Sequence, residues 1–407
     1  MRDILFLAHR IPYPPDRGDK IRSWNMLKHL GELGRVHLAC FADDAADAAY
    51  LPALRQALGG RLGEAHVEVR RTPRLKAAAT ALLSGKPISL PSFDSAALRH
   101  FVTSLLEGGH VGAIVAFSSQ MAQFVPEGAR QLFVMDFVDM DSAKFAAYAD
   151  EAAAPLSWAY RREAKTLFAF ERATAARADF SLFVSEAEAA LFRAKANLPD
   201  ADIRAVENGV DLAFYDPAAD FPKLDPTSGP LIAFTGQMDY PPNAEAVAVF
   251  AHDVWPLVRK VRPDARFAIV GRSPTAAVRR LGQGDDVIVT GAVDDIRSWL
   301  AAASLVVAPL RIARGVQNKV LEAMAMARPV VASPAAFEGI EAEPGRDLVV
   351  ADTAEAQADA ILALLADPDR AAALGTAARA RVESAYRWDA RLAPLAGLLT
   401  GPRRAAA

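Results

Sequence analysis

"SLVVAPLRIARGVQNKVLEAMAMARPVVAS", residues 304–333, decides how the chain is read. Two short apolar runs, "SLVVAPL" and "RPVVAS", flank a helical run that begins near Gly315 and ends near Ala327. Strand, helix and strand in so short a span make a parallel crossover unit, and continuous apolar strands imply a sheet covered on both faces. Lys319 and Glu322 are the charged residues inside that helix. Three positions apart, they share a face. A helix this rich in Ala, Leu and Met packs against a core, and a buried charge needs a partner.

Working outward, the same alternation runs back to "PLIAFTG" (230–236) through "RFAIVG" (266–271) and "DVIVTG" (286–291). The first half repeats it with "ILFLA", "VHLACF", "AHVEV", "VGAIVAF", "QLFVMDFV", "FSLFV" and "DIRAVEN", including a long helical stretch from about Ser142 to Arg177. Between the halves, 208–230 is rich in Asp, Pro and Gly and has no apolar period, so it reads as a linker. The expectation is an α/β chain of two Rossmann-like, doubly wound domains, 1–207 and 231–384. A last amphipathic helix, about 385–400, packs back on the first domain. In such sheets ligands gather at the carboxyl ends of the strands.

Composition sets the outer limits. A chain of 407 residues suits two domains, and 52% hydrophobic with 23% charged residues describes a folded protein rather than a disordered one. A net charge of −3 speaks against bulk nucleic-acid binding. Cys40 is the single cysteine, so no disulfide framework exists and a reducing, cytoplasmic setting is expected. No apolar run reaches the roughly 20 residues of a membrane span. The sequence has no G-x-G-x-x-G, P-loop, HExxH, CxxC or G-x-S-x-G pattern, and its seven histidines are scattered. No resident metal or cofactor is therefore expected.

Candidate residues follow from strand ends. Gly236, before a helix opened by Pro241, Pro242 and Asn243, lets a ligand approach the backbone. Gly271 and Arg272 end the next strand, and Gly291, with Val293 in its loop, ends a third. The Gly315–Val316 helix start offers unpaired N–H groups to a phosphate, beside Arg314 and Lys319. A cation for phosphate and a carboxylate, Glu322, for ribose hydroxyls would suit a nucleotide. In the first domain Gly18, Asp19, Lys20 and Arg22 form a basic loop at a helix start. Asp136, Asp139 and Asp141 follow another strand, and one of them would cap a helix or accept a proton from an acceptor hydroxyl.

Together "FTGQMDYPPN", "ENGVD" (207–211), "GVQNKVLEAMAMARPVVAS" and the closing "YRW" resemble the GT-B sugar-nucleotide glycosyltransferases of family four. With "VMDFVDMDSAKFAAYA" they look closest to the subgroup associated with PEP-CTERM/exosortase systems and bacterial exopolysaccharide. The resemblance implies transfer from a nucleotide-sugar donor to a glycan or polyprenyl-linked acceptor, with retention of configuration and without a metal. It makes Glu322 the second glutamate of the family's E-x7-E motif, on the donor ribose. Lys319 and the Gly315 start would meet the diphosphate, and Gly18 would lie near donor phosphates and acceptor. The first glutamate of the motif is replaced by Arg314, which leaves the donor sugar open and would let this arginine serve the diphosphate. Two rivals share the architecture: a sugar-nucleotide epimerase and an inactive scaffold of a polysaccharide-assembly complex. The stretch 69–86 alternates basic residues with Ala and Leu, compatible with the inner face of the cytoplasmic membrane or with an ordinary surface helix.

Overall fold

The computed structural model describes residues 2–224, 229–312 and 316–401. The chain divides into two compact units, Met1–Glu207 with Leu392–Ala407, and Asn208–Arg391. Arg314 and Gly315 lie outside the described residues.

The first unit is built on seven parallel strands, β1 Asp3–Ala8, β2 Val36–Ala42, β3 Leu62–Val69, β4 Val111–Phe117, β5 Leu132–Val138, β6 Phe180–Phe183 and β7 Ile203–Ala205. Their order is β3-β2-β1-β4-β5-β6-β7, so the winding reverses between β1 and β4. β2 is buried at every residue, as its unbroken apolar run requires of a strand covered on both faces, and Cys40 lies within it. The helical stretch expected over 142–177 is two helices, Asp141–Glu151 and Leu156–Arg177. Pro155 separates them because proline lacks the N–H that a continuing helix needs.

Six parallel strands form the second unit: β8 Leu231–Thr235, β9 Arg266–Val270, β10 Val287–Gly291, β11 Leu305–Ala308, β12 Val330–Ala332 and β13 Val349–Val350. In the order β10-β9-β8-β11-β12-β13 the reversal falls between β8 and β11. β13 escapes a sequence reading because two valines carry no period. The decisive helix is Asn318–Ala325, and it stops where Ala327 takes a φ of 53° and Arg328 N–H bonds back to the Ala323 carbonyl. Val320, Leu321, Ala323, Met324 and Ala325 are its buried residues, leaving Lys319 and Glu322 on the other side.

Residues 208–224, expected to be a linker, group with the second unit. Val210 and Phe221 are in its core, with Leu212 and Tyr215 packed against it. Val210 N–H bonds to the Tyr386 carbonyl at 2.7 Å, and a Cβ on Gly209 would come within 2.7 Å of the Trp388 backbone. "NGVD" and "YRW" are therefore one packed junction. Residues from Leu392, including the Pro394–Thr400 helix, group with the first unit. Among the described residues no helix is long and apolar enough to cross a membrane.

Candidate functional site

Loops after β8 and β11 flank the point where the second sheet reverses, and this is where the expected donor residues converge. Gly236 follows β8 directly. A Cβ there would lie 2.8 Å from Asn243 Nδ2 and 3.5 Å from Lys319 Nζ. A Cβ on Gly271 would lie 1.6 Å from the Gly236 carbonyl oxygen, so only glycine lets the β8 and β9 loops touch here. Lys319 Nζ donates to Asn243 Oδ1 and lies 4.7 Å from the Phe234 ring centre. Asn243 Nδ2 in turn donates to the Gln237 carbonyl at 2.9 Å, and Arg272 Nη2 donates to Gln237 Oε1 at 3.2 Å. Gln237, Asp239, Tyr240, Pro241 and Asn243 line an open recess at this strand end. Thr235 Oγ1 and Asn318 Oδ1 are buried beside it with no hydrogen-bond partner among the described residues.

Burial pulls the Lys319 ammonium down to about 8, with Glu322 opposing the shift. Burial likewise raises the Glu322 carboxyl, while a hydrogen bond from Tyr215 and the charge of Lys319 pull it back. Tyr215 is itself pushed well above its ordinary value by burial and by the Glu322 carboxylate it donates to. Arg379 holds this arrangement: its Nη1 donates to the Tyr215 carbonyl and, at 2.6 Å, to the Ala325 carbonyl. The 208–224 segment is thus tied to the end of the helix that carries Lys319 and Glu322.

Other expected donor residues divide. Gly291 ends β10 with a φ of 70°, and Thr290 Oγ1 beside it lies 3.4 Å from Gly271 N. Val293 packs on Leu231, Ala268 and Val270 with Trp299, so its side chain fills a small apolar cluster. Val316 packs at the edge of the unit's core, 3.6 Å from where a Gly339 Cβ would stand. Tyr215, Gln237 and Tyr240 were not singled out from the sequence. The aspartates, prolines and glycines around Tyr215 hid it.

The loop of the first unit corrects one expectation. Gly18 opens the Gly18–Leu33 helix, but Lys20 and Arg22 do not present cations to solvent. Lys20 Nζ lies 2.5 Å from Asp47 Oδ1, and Arg22 lies 2.9 Å from the fully buried Asp136. Both cations are consumed in buried pairs, a use that sequence spacing cannot show. Asp19 accepts from Arg10 at 2.6 Å and His9 at 3.1 Å. These partners overcome burial and hold its carboxyl well below the usual range. Asp139 and Asp141 each lie 3.0 Å from Lys144 Nζ, and the two carboxylates keep that ammonium charged despite its burial. Beneath them burial pushes Glu171 up to about 8, although it accepts from Ser142 Oγ at 2.5 Å. His9, stacked on Phe117 at 5.7 Å where β1 and β4 part, is a further residue the sequence reading passed over.

The histidines are less scattered in space than in sequence. Asp3, His37 and His110 bring possible ligand atoms within 4.8 Å at the amino ends of the strands. His37 Nε2 lies 3.0 Å from Asp3 and its Nδ1 accepts from Glu64 N–H at 3.1 Å, so both ring nitrogens are already engaged.

Residues 229–367, about a third of the chain, match the family model "Glycosyl transferases group 1" and carry its signature. The fold is that of the GT-B glycosyltransferases. Sucrose-phosphate synthase from Thermosynechococcus elongatus superposes with a TM-score of 0.69 over 98% of both chains at 18% identity. Anabaena HepE, solved with UDP-glucose, gives 0.64 over 98% of this chain and 100% of that one at 17% identity. The GDP-mannose-dependent alpha-(1-6)-phosphatidylinositol monomannoside mannosyltransferase of Mycobacterium tuberculosis is 34% identical over 161 residues, 36% of this chain and 42% of that protein. A related mannosyltransferase of Corynebacterium glutamicum, acting on the monoacylated acceptor, is 32% identical over 33% of this chain and 38% of its own length. The chain thus spans less than half the length of the curated relatives it matches.

Proposed function

We propose that the protein is a glycosyltransferase that moves a sugar from a nucleotide-sugar donor to a glycan or lipid-linked acceptor. The observation that carries the reading is the meeting of Lys319, Asn243, Gly236 and Glu322 where the second sheet reverses. A half-buried cation beside a glycine-lined strand end suits a diphosphate, and a carboxylate one turn away suits ribose hydroxyls. Stabilising the leaving diphosphate is then the main electrostatic contribution to rate. The group 1 signature falls on the same unit, and the two mannosyltransferases named above are GDP-mannose-dependent.

We further read the reaction as retaining and metal-independent. Its product would belong to bacterial exopolysaccharide, in the PEP-CTERM/exosortase-associated subgroup. Arg314 would serve the diphosphate in place of the family's first glutamate. Among the described acidic residues of the first unit, Asp139 is the candidate for the acceptor hydroxyl. The setting would be the cytoplasm, on the inner face of the cytoplasmic membrane for a lipid-linked acceptor.

A thermal-shift screen with UDP, GDP, ADP and their sugars tests this, because a ligand bound only by the folded state raises its apparent stability. One nucleotide should stabilise the wild type and leave Glu322→Ala unmoved. Turnover of the matching donor should then drop on the order of 10²-fold or more in Lys319→Ala. Stabilisation that survives Glu322→Ala equally would place the donor elsewhere.

A further inference from the structure

Two neighbouring helices of the first unit, Arg74–Ser84 and Leu156–Arg177, expose apolar side chains that a soluble surface seldom leaves bare. Leu83 is 91% exposed, Leu82 and Trp158 are each 66% exposed, and Leu156 is 51% exposed. The ends of the two helices meet. Arg162 Nη2 donates to the Ala81 carbonyl at 2.7 Å and to the Lys86 carbonyl at 3.1 Å. Arg162 is one turn beyond Trp158, and Leu82 and Leu83 directly follow Ala81, so the Arg162 bridge ties the two exposed apolar stretches together.

The charge around these stretches is mainly basic, with the exposed Asp150 on the neighbouring Asp141–Glu151 helix as the acid nearest in sequence to Leu156. Residues 71–86 contain no carboxylate, and Arg71, Lys76 and Lys86 are exposed. The Leu156–Arg177 helix has two acidic residues, Glu163 and Glu171, and both are buried. Glu163 is turned inward to accept from Ile88 N–H at 2.7 Å and Ser89 N–H at 3.2 Å, and Glu171 holds Ser142. The outer surface of the helix presents Arg161 and Lys165 with no anion of its own to answer them.

We propose that the two stretches form one patch that docks on an anionic lipid bilayer, with Leu82, Leu83 and Trp158 entering the headgroup–acyl boundary and the surrounding cations resting on lipid phosphates. Leu83 stands almost free of the fold, so it is a protrusion and not the wall of a groove. Protrusions are accommodated by a deformable apolar layer better than by a rigid protein face. Tryptophan favours the interface, and arginine and lysine stems beside it reach the headgroups. Each cation near an anionic surface adds binding that salt screens. The inference stands on this surface alone and does not depend on the transfer reaction.

Co-sedimentation of the full chain with vesicles, without donor or acceptor, tests it. The wild type should partition onto mixed phosphatidylcholine–phosphatidylglycerol vesicles, less at high salt, and only weakly onto phosphatidylcholine alone. Leu82→Ser with Leu83→Ser should lower partitioning roughly tenfold or more while thermal unfolding stays unchanged, since both side chains are exposed. Trp158→Phe provides a second reading: quenching of tryptophan fluorescence by brominated lipid should largely disappear. Absence of binding, equal binding to neutral vesicles, or binding unaffected by the double variant would each overturn the proposal. It would also fall if the double variant abolished a concentration-dependent dimer instead, because a second copy would then be what covers the patch.

Discussion

Lys319 shows how a side chain that fits its helix poorly becomes a candidate for ligand binding. Its ammonium sits where burial lowers its proton affinity to about 8, and Asn243 Oδ1 and the Phe234 ring are its near neighbours. A lysine with a folded value below the unfolded 10.5 destabilises the fold while protonated. That cost is fully present below about pH 8 and fades as pH rises towards the unfolded value. A bound diphosphate would reverse the preference by favouring the charged form. Nucleoside diphosphate affinity should therefore fall as pH rises through about 8, approaching tenfold per unit. Lys319→Met should bind more weakly and lose this dependence. Calorimetric titration across the alkaline range measures it, and a flat profile in the wild type would remove Lys319 from the phosphate contact. Lys319 was legible because a charge in an apolar helix is anomalous. Lys20 and Arg22 looked equally basic, yet their partners Asp47 and Asp136 come from other elements, and no local pattern announces such a pairing.

At the scale of elements, the segment 208–224 works as a brace. It has no regular period, but Val210 and Phe221 anchor it in the core and Arg379 clamps its turn to the end of the Asn318–Ala325 helix. Tyr215 then donates its hydroxyl to Glu322, fixing a carboxylate that burial would otherwise push towards the neutral form. Tyr215→Phe keeps the ring and removes that bond. The expected result is donor-nucleotide affinity weakened about threefold to tenfold, the worth of one hydrogen bond, with the midpoint of thermal unfolding within a few degrees of wild type. Unchanged affinity would make Tyr215 a packing residue only. The strands around the brace were readable because unbroken apolar runs imply two-sided burial, whereas an irregular segment takes its place from what it packs against.

For the whole molecule, the division into units is not a division at one point of the sequence. Leu392 onward groups with Met1–Glu207, and Leu392, Leu395 and Leu398 are buried. Ending the chain after Arg391 should destabilise the first unit by about 4 kcal/mol or more, the transfer value of three buried leucines. Hydrogen exchange should show amides of β1, β2 and β4 losing protection while those of β8, β9 and β11 keep theirs. Equal protection in both forms would mean that the last helix contributes little to that unit.

Alternating apolar strands and amphipathic helices can bury their faces in few ways, so the residues alone imply a chain of two parallel-sheet α/β units. The sequence also singled out Gly236, Gly271, Lys319 and Glu322, since each breaks a local rule. Which basic residues remain unspent, that Tyr215 and Arg379 brace the candidate site, and that Arg162 links the stretches carrying Leu82, Leu83 and Trp158 emerge only in three dimensions. These depend on contacts between residues tens of positions apart, formed by crossovers and packing, and local spacing carries no trace of them.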